Sequence, residues 1–220
     1  MIRAVIFDLD GTIANTISAI REGINLTMRK YGYPEHTDEE VLSYINNGAR
    51  ELVRRAMPEE LQSDEDTVTR VLADYDRFYG ETYHHTDRTY DGIPEVVSAL
   101  HDKGLGIAVL SNKQDLFVRK LCQQLLPVGS YDTAQGVIVG KPTKPHPYLS
   151  ELVAERLGVT TAECVMVGDS DVDIRTAEAA GMTHIGVSWG YRDEAFLRVH
   201  GAKTVVNTPA QLLEMIETML

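Results

Sequence analysis

Two spacings of apolar residues alternate along the second half of the chain. Short apolar runs at 106–110 and 164–167 end in polar residues, and so does an equivalent run at 4–7 near the beginning. Such runs are typical of buried strands, whereas the intervening segments carry apolar residues every three or four positions, as amphipathic helices do. Shorter strands are expected at 137–139, 184–187 and 204–206. This alternation predicts a parallel sheet with helices on both faces.

The segment from about residue 14 to residue 82 has a different pattern. Its apolar residues follow helical spacing, as at Ile17, Ile20 and Ile24, and nothing in it alternates like a strand. An all-helical block placed directly after a strand favours an inserted domain. We therefore predict an α/β fold, a doubly wound parallel sheet built from 1–14 and 86–220, with a smaller all-helical cap domain at 15–85.

Composition narrows the range of partners. The chain has 220 residues, 43% of them hydrophobic, which is enough for a packed core, and its formal net charge is −12. Nucleic-acid binding depends on basic patches, so a nucleic-acid partner is not expected. We find no apolar stretch of membrane-spanning length and no signal peptide. Cys122 and Cys164 are isolated and lack metal-binding spacing. These features predict a cytoplasmic protein without a membrane partner, acting as a monomer or dimer.

Polar clusters follow the predicted strands. Asp8 and Asp10 come after the first, Ser111-Asn112 after the second, Lys141 and Lys144 after the short third, and Asp169 after a later one. The carboxyl ends of parallel strands line one crevice of such a sheet. These side chains are therefore expected to share one site.

The Asp8-Leu9-Asp10-Gly11-Thr12 stretch is the most informative of these clusters. Side chains two positions apart on a strand point the same way, so the two carboxylates can converge. Buried carboxylates are costly without a compensating cation, and Mg²⁺ prefers carboxylate and phosphate oxygens. Gly11 allows a sharp exit, and the Thr12 hydroxyl can donate to a phosphate oxygen. The alternative is an Asx-type turn in which the aspartates only cap backbone amides.

Four ordered motifs resemble those of the haloacid dehalogenase-like hydrolase superfamily. They are Asp8-Leu9-Asp10-Gly11-Thr12, Ser111-Asn112, Lys144-Pro145-His146-Pro147, and Gly168-Asp169-Ser170 with Asp173. The resemblance implies that Asp8 attacks phosphorus to form an aspartyl-phosphate and that Asp10 is the general acid and base. The dehalogenase branch lacks the second aspartate, so Asp10 indicates phosphoryl chemistry.

The resemblance also assigns the remaining residues of the site. Mg²⁺ is expected on Asp8, Asp169 and the backbone carbonyl of Asp10, with Asp173 supporting this set from behind. Ser111 and Lys144 belong to the catalytic set, and Gly11, Thr12 and Asn112 to the phosphate-binding one. Lys144 fits the motif better than Lys141 does, because a second proline follows only there at the required spacing.

The substrate is less tightly specified. Asn46-Asn47-Gly48-Ala49-Arg50 resembles the substrate-facing cap loop of bacterial phosphoglycolate phosphatases. Arg50 could hold a substrate carboxylate, or it could be an ordinary exposed helical arginine. Trp189-Gly190-Tyr191 matches a family stretch expected to serve packing.

The expected function is that of a Mg²⁺-dependent phosphomonoester hydrolase, phosphoglycolate phosphatase-like, acting on a small phosphorylated metabolite. Pyrophosphate hydrolysis, sugar-phosphate hydrolysis and a phosphoglucomutase reaction use the same chemistry on other substrates. A non-catalytic module that binds phosphorylated metabolites would need a broken catalytic set, whereas Asp8, Asp10, Ser111, Lys144 and Asp169 are all present.

Overall fold

The computed structural model describes residues 1–86 and 88–220 and divides into two compact units. The first contains Met1–Asn15 and Arg88–Leu220, and the second contains Thr16–Asp87. The expected core range, 86–220, includes Asp87, which lies outside the described residues.

A six-stranded sheet forms the centre of the first unit. Its strands, in chain order, are β1 (Ala4–Phe7), β2 (Gly106–Gln114), β3 (Thr133–Val137), β4 (Cys164–Gly168), β5 (Thr183–Val187) and β6 (Val205–Val206). All neighbours are parallel, and the order across the sheet is β3-β2-β1-β4-β5-β6. The predicted doubly wound parallel sheet is confirmed.

β1 lies between β2 and β4, where the strand order changes direction. All four of its residues are fully buried, as expected of a strand covered on both faces. Phe7 pairs with Val109 on one side and with Val167 on the other. Ligands of open α/β sheets bind beyond the carboxyl ends of the strands at this switch point. The residues directly after β1 and β4 therefore occupy the expected position of a site.

Helices cover the sheet of the first unit. They are α5 (Ile93–Asp102), α6 (Asp115–Leu125), α7 (Tyr148–Arg156), α8 (Asp171–Ala180), α9 (Glu194–Val199) and α10 (Pro209–Glu217), numbered after the four helices of the second unit. One core cluster joins Ile6 and Leu110 of the sheet to Leu149 and Val153 of α7. This packing anchors the start of α7, which follows the Lys144 loop.

The regular elements in the described residues of the second unit are all helices. Its helices are α1 (Ile17–Tyr31), α2 (Asp38–Tyr44), α3 (Gly48–Ala56) and α4 (Glu65–Thr82). Gly32 ends α1 in the left-handed conformation, and Thr37 begins α2 with a capping box. These are the helices that the sequence pattern predicts for a cap. Among the residues described, every helix is too short or too polar to span a lipid bilayer.

β2 contains an irregularity beside the site. Leu110 pairs with Gln135 and Gln114 pairs with Val137, so residues 111–113 lie opposite Gly136 alone. Such a bulge re-aims side chains and is common next to active sites. It gives Ser111, Asn112 and Lys113 directions that a regular strand would not.

The prediction of a strand at 137–139 was wrong, because β3 runs from Thr133 to Val137. The Asp115 carboxylate accepts the backbone N–H of Gly136 at 2.9 Å, which fixes the earlier segment against β2 and α6. Val139, in contrast, is fully exposed. Its β-branched side chain misled the pattern.

Gly136→Ala should destabilise the protein because a Cβ there would lie 2.5 Å from backbone atoms of Asp115 and Lys113. We expect the free energy of unfolding to fall by about 2–3 kcal/mol, measured by urea denaturation. Gly106→Ala is the matched control, because its Cβ would be at an ordinary distance of 3.4 Å from Leu157. Equal effects of the two changes would contradict this account of the bulge.

Candidate active site

Three buried carboxylates meet at the carboxyl ends of β1 and β4. One oxygen from each of Asp8, Asp169 and Asp173 lies within 4.8 Å of the others. Asp8 follows β1, Asp169 follows β4, and Asp173 is in the first turn of α8. The sheet topology thus brings together residues that are more than 150 positions apart.

Lys144 lies between two of these carboxylates. Its Nζ donates to Asp8 Oδ1 at 2.8 Å and to Asp173 Oδ1 at 2.7 Å, and only 3% of its side chain is exposed. Lys141, by contrast, is exposed, and its Nζ lies 5.5 Å from the centre of the Tyr148 ring. Of the two lysines considered from the sequence, Lys144 is the one in the site.

The carboxylates carry more negative charge than their surroundings compensate. Burial, with help from Asp173 and Asp10, raises the pKa of Asp8 to about 7 against the opposing effect of Lys144. Burial and the charges of Asp8 and Asp173 raise the pKa of Asp169 well above its usual value. Burial disfavours the charged form of Lys144, but Asp173 and Asp8 outweigh it and raise its pKa.

The donor set of this cluster suits a hard divalent cation. Three carboxylates of the described residues lie together and one ammonium contacts two of them, and carboxylate oxygens are the ligands such cations prefer. Ionising all three without further positive charge is costly in a buried site. The cluster therefore fits a metal site.

Asp173 is bonded so as to support the cluster from behind. Its Oδ2 accepts hydrogen bonds from the Ser170 hydroxyl at 2.6 Å and the Ser170 N–H at 3.2 Å, in a capping box at the start of α8. A Cβ on Gly168 would collide with the Asp173 side chain, so glycine is needed at the end of β4.

Asp10 points its carboxylate toward the bulge of β2. Lys113 Nζ lies 3.1 Å from Asp10 Oδ1, and the Ser111 hydroxyl donates to Oδ2 at 3.5 Å. The Lys113 side chain is only 8% exposed, and it was not among the side chains expected at the site. Its position within a polar triplet at a strand end was the available signal. The metal contact expected of Asp10 involves its backbone carbonyl and stays a prediction.

The 189–191 stretch holds Asp169 and the first motif together. The Tyr191 N–H donates to Asp169 Oδ2 at 2.7 Å, and Trp189 Nε1 donates to the Thr12 carbonyl at 3.1 Å. A Cβ on Gly190 would lie 2.5 Å from Asp169 Cβ, and one on Gly11, where φ is +83°, would lie 2.7 Å from Asp169 Cγ. Both glycines are therefore required by close approach to Asp169.

Two residues expected to bind phosphate make other contacts. The Thr12 hydroxyl donates to Asp169 Oδ1 at 3.4 Å. The Asn112 side chain makes two hydrogen bonds with the backbone of Lys144. Its Nδ2 donates to the Lys144 carbonyl and its Oδ1 accepts the Lys144 N–H, each at 2.9 Å. Phosphate contacts of these side chains stay predictions, but the structure gives each of them a role in orienting an ionic group.

Arg50 belongs to the second unit and is not part of the carboxylate cluster. Its guanidinium bonds Glu65 at 2.5 Å and Thr69 at 3.1 Å, and 41% of its side chain is exposed. A contact between Arg50 and substrate stays a prediction.

The pKa of Asp8 predicts a pH dependence of stability in metal-free solution. Between about pH 4 and pH 7 the folded state holds a proton on Asp8 that the unfolded chain has lost, so stability falls as the pH rises. Relative to Asp8→Asn, the wild type should lose of the order of a few kcal/mol over this range. Urea denaturation in EDTA measures both, with Asp171→Asn as a control expected to behave like the wild type. Parallel curves for wild type and Asp8→Asn would contradict the assignment.

Comparisons with known proteins agree with this geometry. Residues 5–187 match the family model described as haloacid dehalogenase-like hydrolase. The phosphoglycolate phosphatase of Thiobacillus denitrificans is 33% identical, over 86% of this chain and 85% of its own, and that of Vibrio vulnificus strain YJ016 is 30% identical, over 98% and 96%. A similar crystal structure is that of a Lactobacillus delbrueckii subsp. bulgaricus protein whose name gives phosphoglycolate phosphatase as its expected activity. It superimposes with a TM-score of 0.90 at 32% identity, and the match covers 97% of this chain and 98% of that one. The chain belongs to the haloacid dehalogenase-like hydrolase family.

Proposed function

We propose that this protein is a Mg²⁺-dependent phosphomonoester hydrolase that acts on a small phosphorylated metabolite. The substrate we propose is 2-phosphoglycolate. Its family and its relatives of 30% identity or more make it a phosphatase. The observation that carries the mechanism is the buried Asp8 carboxylate, which lies beside Asp169 and accepts a hydrogen bond from Lys144.

Asp8, Asp169 and the backbone carbonyl of Asp10 would hold the Mg²⁺ ion. The resemblance gives Asp173 a supporting place behind these ligands, and its hydrogen bonds with Lys144 and Ser170 are consistent with that role. When bound, the ion supplies positive charge that offsets the charge on the phosphoryl oxygens and on the carboxylates. The raised pKa values of Asp8 and Asp169 support this assignment, because burial and the neighbouring carboxylates disfavour the charged forms that a bound cation would stabilise.

Asp8 carries out the first chemical step. Its Oδ1 is held by Lys144, and we assign the attack on phosphorus to Oδ2. A new bond forms between this oxygen and phosphorus while the bond between phosphorus and the leaving oxygen breaks. Asp10 gives its proton to that oxygen, so the alcohol leaves neutral and Asp8 becomes an aspartyl-phosphate.

Asp10 then acts as a base for the second step. Its carboxylate takes a proton from a water molecule whose oxygen attacks the phosphorus of the aspartyl-phosphate. The bond to Asp8 breaks, inorganic phosphate leaves, and both aspartates return to their starting states. Ser111 and Lys113, which contact the Asp10 carboxylate, keep it directed toward the site through both proton transfers.

Lys144 offsets charge throughout the reaction. It holds the nucleophile in place and supplies a fixed cation next to the transferring group. Ser111, Gly11 and the backbone of the first motif are assigned to the phosphoryl oxygens. We assign the second unit the role of a cap, and Arg50 the role of binding the carboxylate of 2-phosphoglycolate, which would require it to leave Glu65.

Asp8→Asn should abolish turnover because an amide cannot attack phosphorus. With 2-phosphoglycolate and Mg²⁺, we expect kcat to fall by about 10⁴-fold or more, and Asp10→Asn to lower it by about 10²–10⁴-fold. EDTA should inactivate the wild type, and added Mg²⁺ should restore it. Phosphate release measures all of these, with pyrophosphate and glucose 1-phosphate as comparison substrates.

Asp171→Asn is the matched control, because Asp171 lies close to the site but pairs with Arg175 at the surface. It should keep the wild-type kcat. Turnover by Asp8→Asn, or full activity in EDTA, would reject the mechanism. Faster hydrolysis of pyrophosphate, or conversion of glucose 1-phosphate into glucose 6-phosphate, would reject the substrate and leave the chemistry standing.

A further inference from the structure

Asn112 holds the main chain of Lys144 by two hydrogen bonds. Its Nδ2 donates to the Lys144 carbonyl at 2.9 Å, and its Oδ1 accepts the Lys144 N–H at 2.9 Å. Both residues are buried. The carboxamide thus pairs with the backbone on both sides of one α-carbon, as a neighbouring strand would.

The bulge in β2 makes this pairing possible. Asn112 is the middle of the three residues that lie opposite Gly136 alone, so its side chain is re-aimed away from the regular register. Lys144 lies between β3 and α7, in a segment without regular structure. Buried backbone groups need partners, and Asn112 supplies them for this lysine.

Anchoring the backbone matters because the lysine side chain is long and flexible. Its Nζ must reach Asp8 and Asp173 at 2.8 and 2.7 Å through four methylene groups. Packing limits the side chain, but the α-carbon sets where the chain of methylenes begins. A shift of the loop would move the ammonium away from one carboxylate or both.

We propose that Asn112 is a positioning residue for Lys144, acting through the lysine backbone, and that it does not bind substrate. The proposal rests on the proposed function for its effect on turnover. It replaces the phosphate-binding role expected of Asn112 from its motif.

The second unit contains a matched control. Asn25 Nδ2 donates to the His36 carbonyl at 2.9 Å, and Asn25 Oδ1 accepts the His36 N–H at 2.8 Å. The same two hydrogen bonds are therefore made by the same type of side chain to a residue outside the catalytic motifs. Asn25→Ala removes the equivalent pair of hydrogen bonds without touching Lys144.

The test compares four variants, Asn112→Ala, Asn25→Ala, Lys144→Met and Asn112→Ala/Lys144→Met, by steady-state kinetics and thermal unfolding. Asn112→Ala and Asn25→Ala should each lower Tm by a few degrees, since each loses two hydrogen bonds, which are buried at Asn112 and partly buried at Asn25. Of these two variants, only Asn112→Ala should lower kcat, by about 10–100-fold, with KM changed by less than about threefold.

The double variant separates the backbone from the side chain. With p-nitrophenyl phosphate, whose leaving group departs readily, Asn112→Ala should lower the residual kcat of Lys144→Met by less than about twofold. It should still lower Tm in that background, because the backbone groups of residue 144 lose their two hydrogen bonds with Asn112.

Three results would overturn the proposal. An increase in KM with kcat preserved would make Asn112 a substrate ligand. An unchanged kcat in Asn112→Ala, or an equal loss of kcat in Asn25→Ala, would show that Asn112 has no specific effect on Lys144. Inactivity of the wild type would instead count against the proposed function, and the Tm losses, measured without substrate, would still report whether the two hydrogen bonds exist.

Discussion

The crowding of three buried carboxylates around one ammonium is the constraint on which the rest of the site depends. Asp8, Asp169 and Asp173 lie within one cluster, and Lys144 is shared between two of them. Burial, together with the neighbouring carboxylates, raises the pKa values of Asp8 and Asp169 against the opposing effect of Lys144. Such a site is costly for folding alone, and it is suited to a cation and a phosphoryl group.

The fold imposes this arrangement through backbone features. The switch point of the sheet places the ends of β1 and β4 side by side, and the bulge of β2 turns three consecutive residues toward the site. Gly11 and Gly190 allow two loops to approach Asp169 more closely than any side chain would permit. The side chains of the site are thus positioned by strands and loops that are themselves held in place by the packing of the sheet.

Much of the site could be predicted because its residues directly follow strands of a parallel sheet. A parallel sheet has one edge where carboxyl ends meet, so Asp8, Asp169 and Lys144 were expected together from their positions alone. The bonding of Thr12 and Asn112 could not be predicted in this way. Their side chains could bind phosphate as well as an aspartate or a backbone group. Which partner they take depends on a bulge and on close loop contacts, and neither can be recognised from the spacing of residues in the sequence. β3 was misplaced for a similar reason, since Gly136 and Gln135 are poor strand formers held by tertiary bonds to Asp115.

Proton release on Mg²⁺ binding tests the central claim most directly. Isothermal titration calorimetry of the metal-free protein, in two buffers with different ionisation enthalpies, counts the protons that the ion displaces. If burial and the neighbouring carboxylates keep a proton on Asp8, binding near pH 6 should release about one proton or more, and binding near pH 9 should release fewer. Binding without proton release near pH 6, or no binding at all, would contradict it.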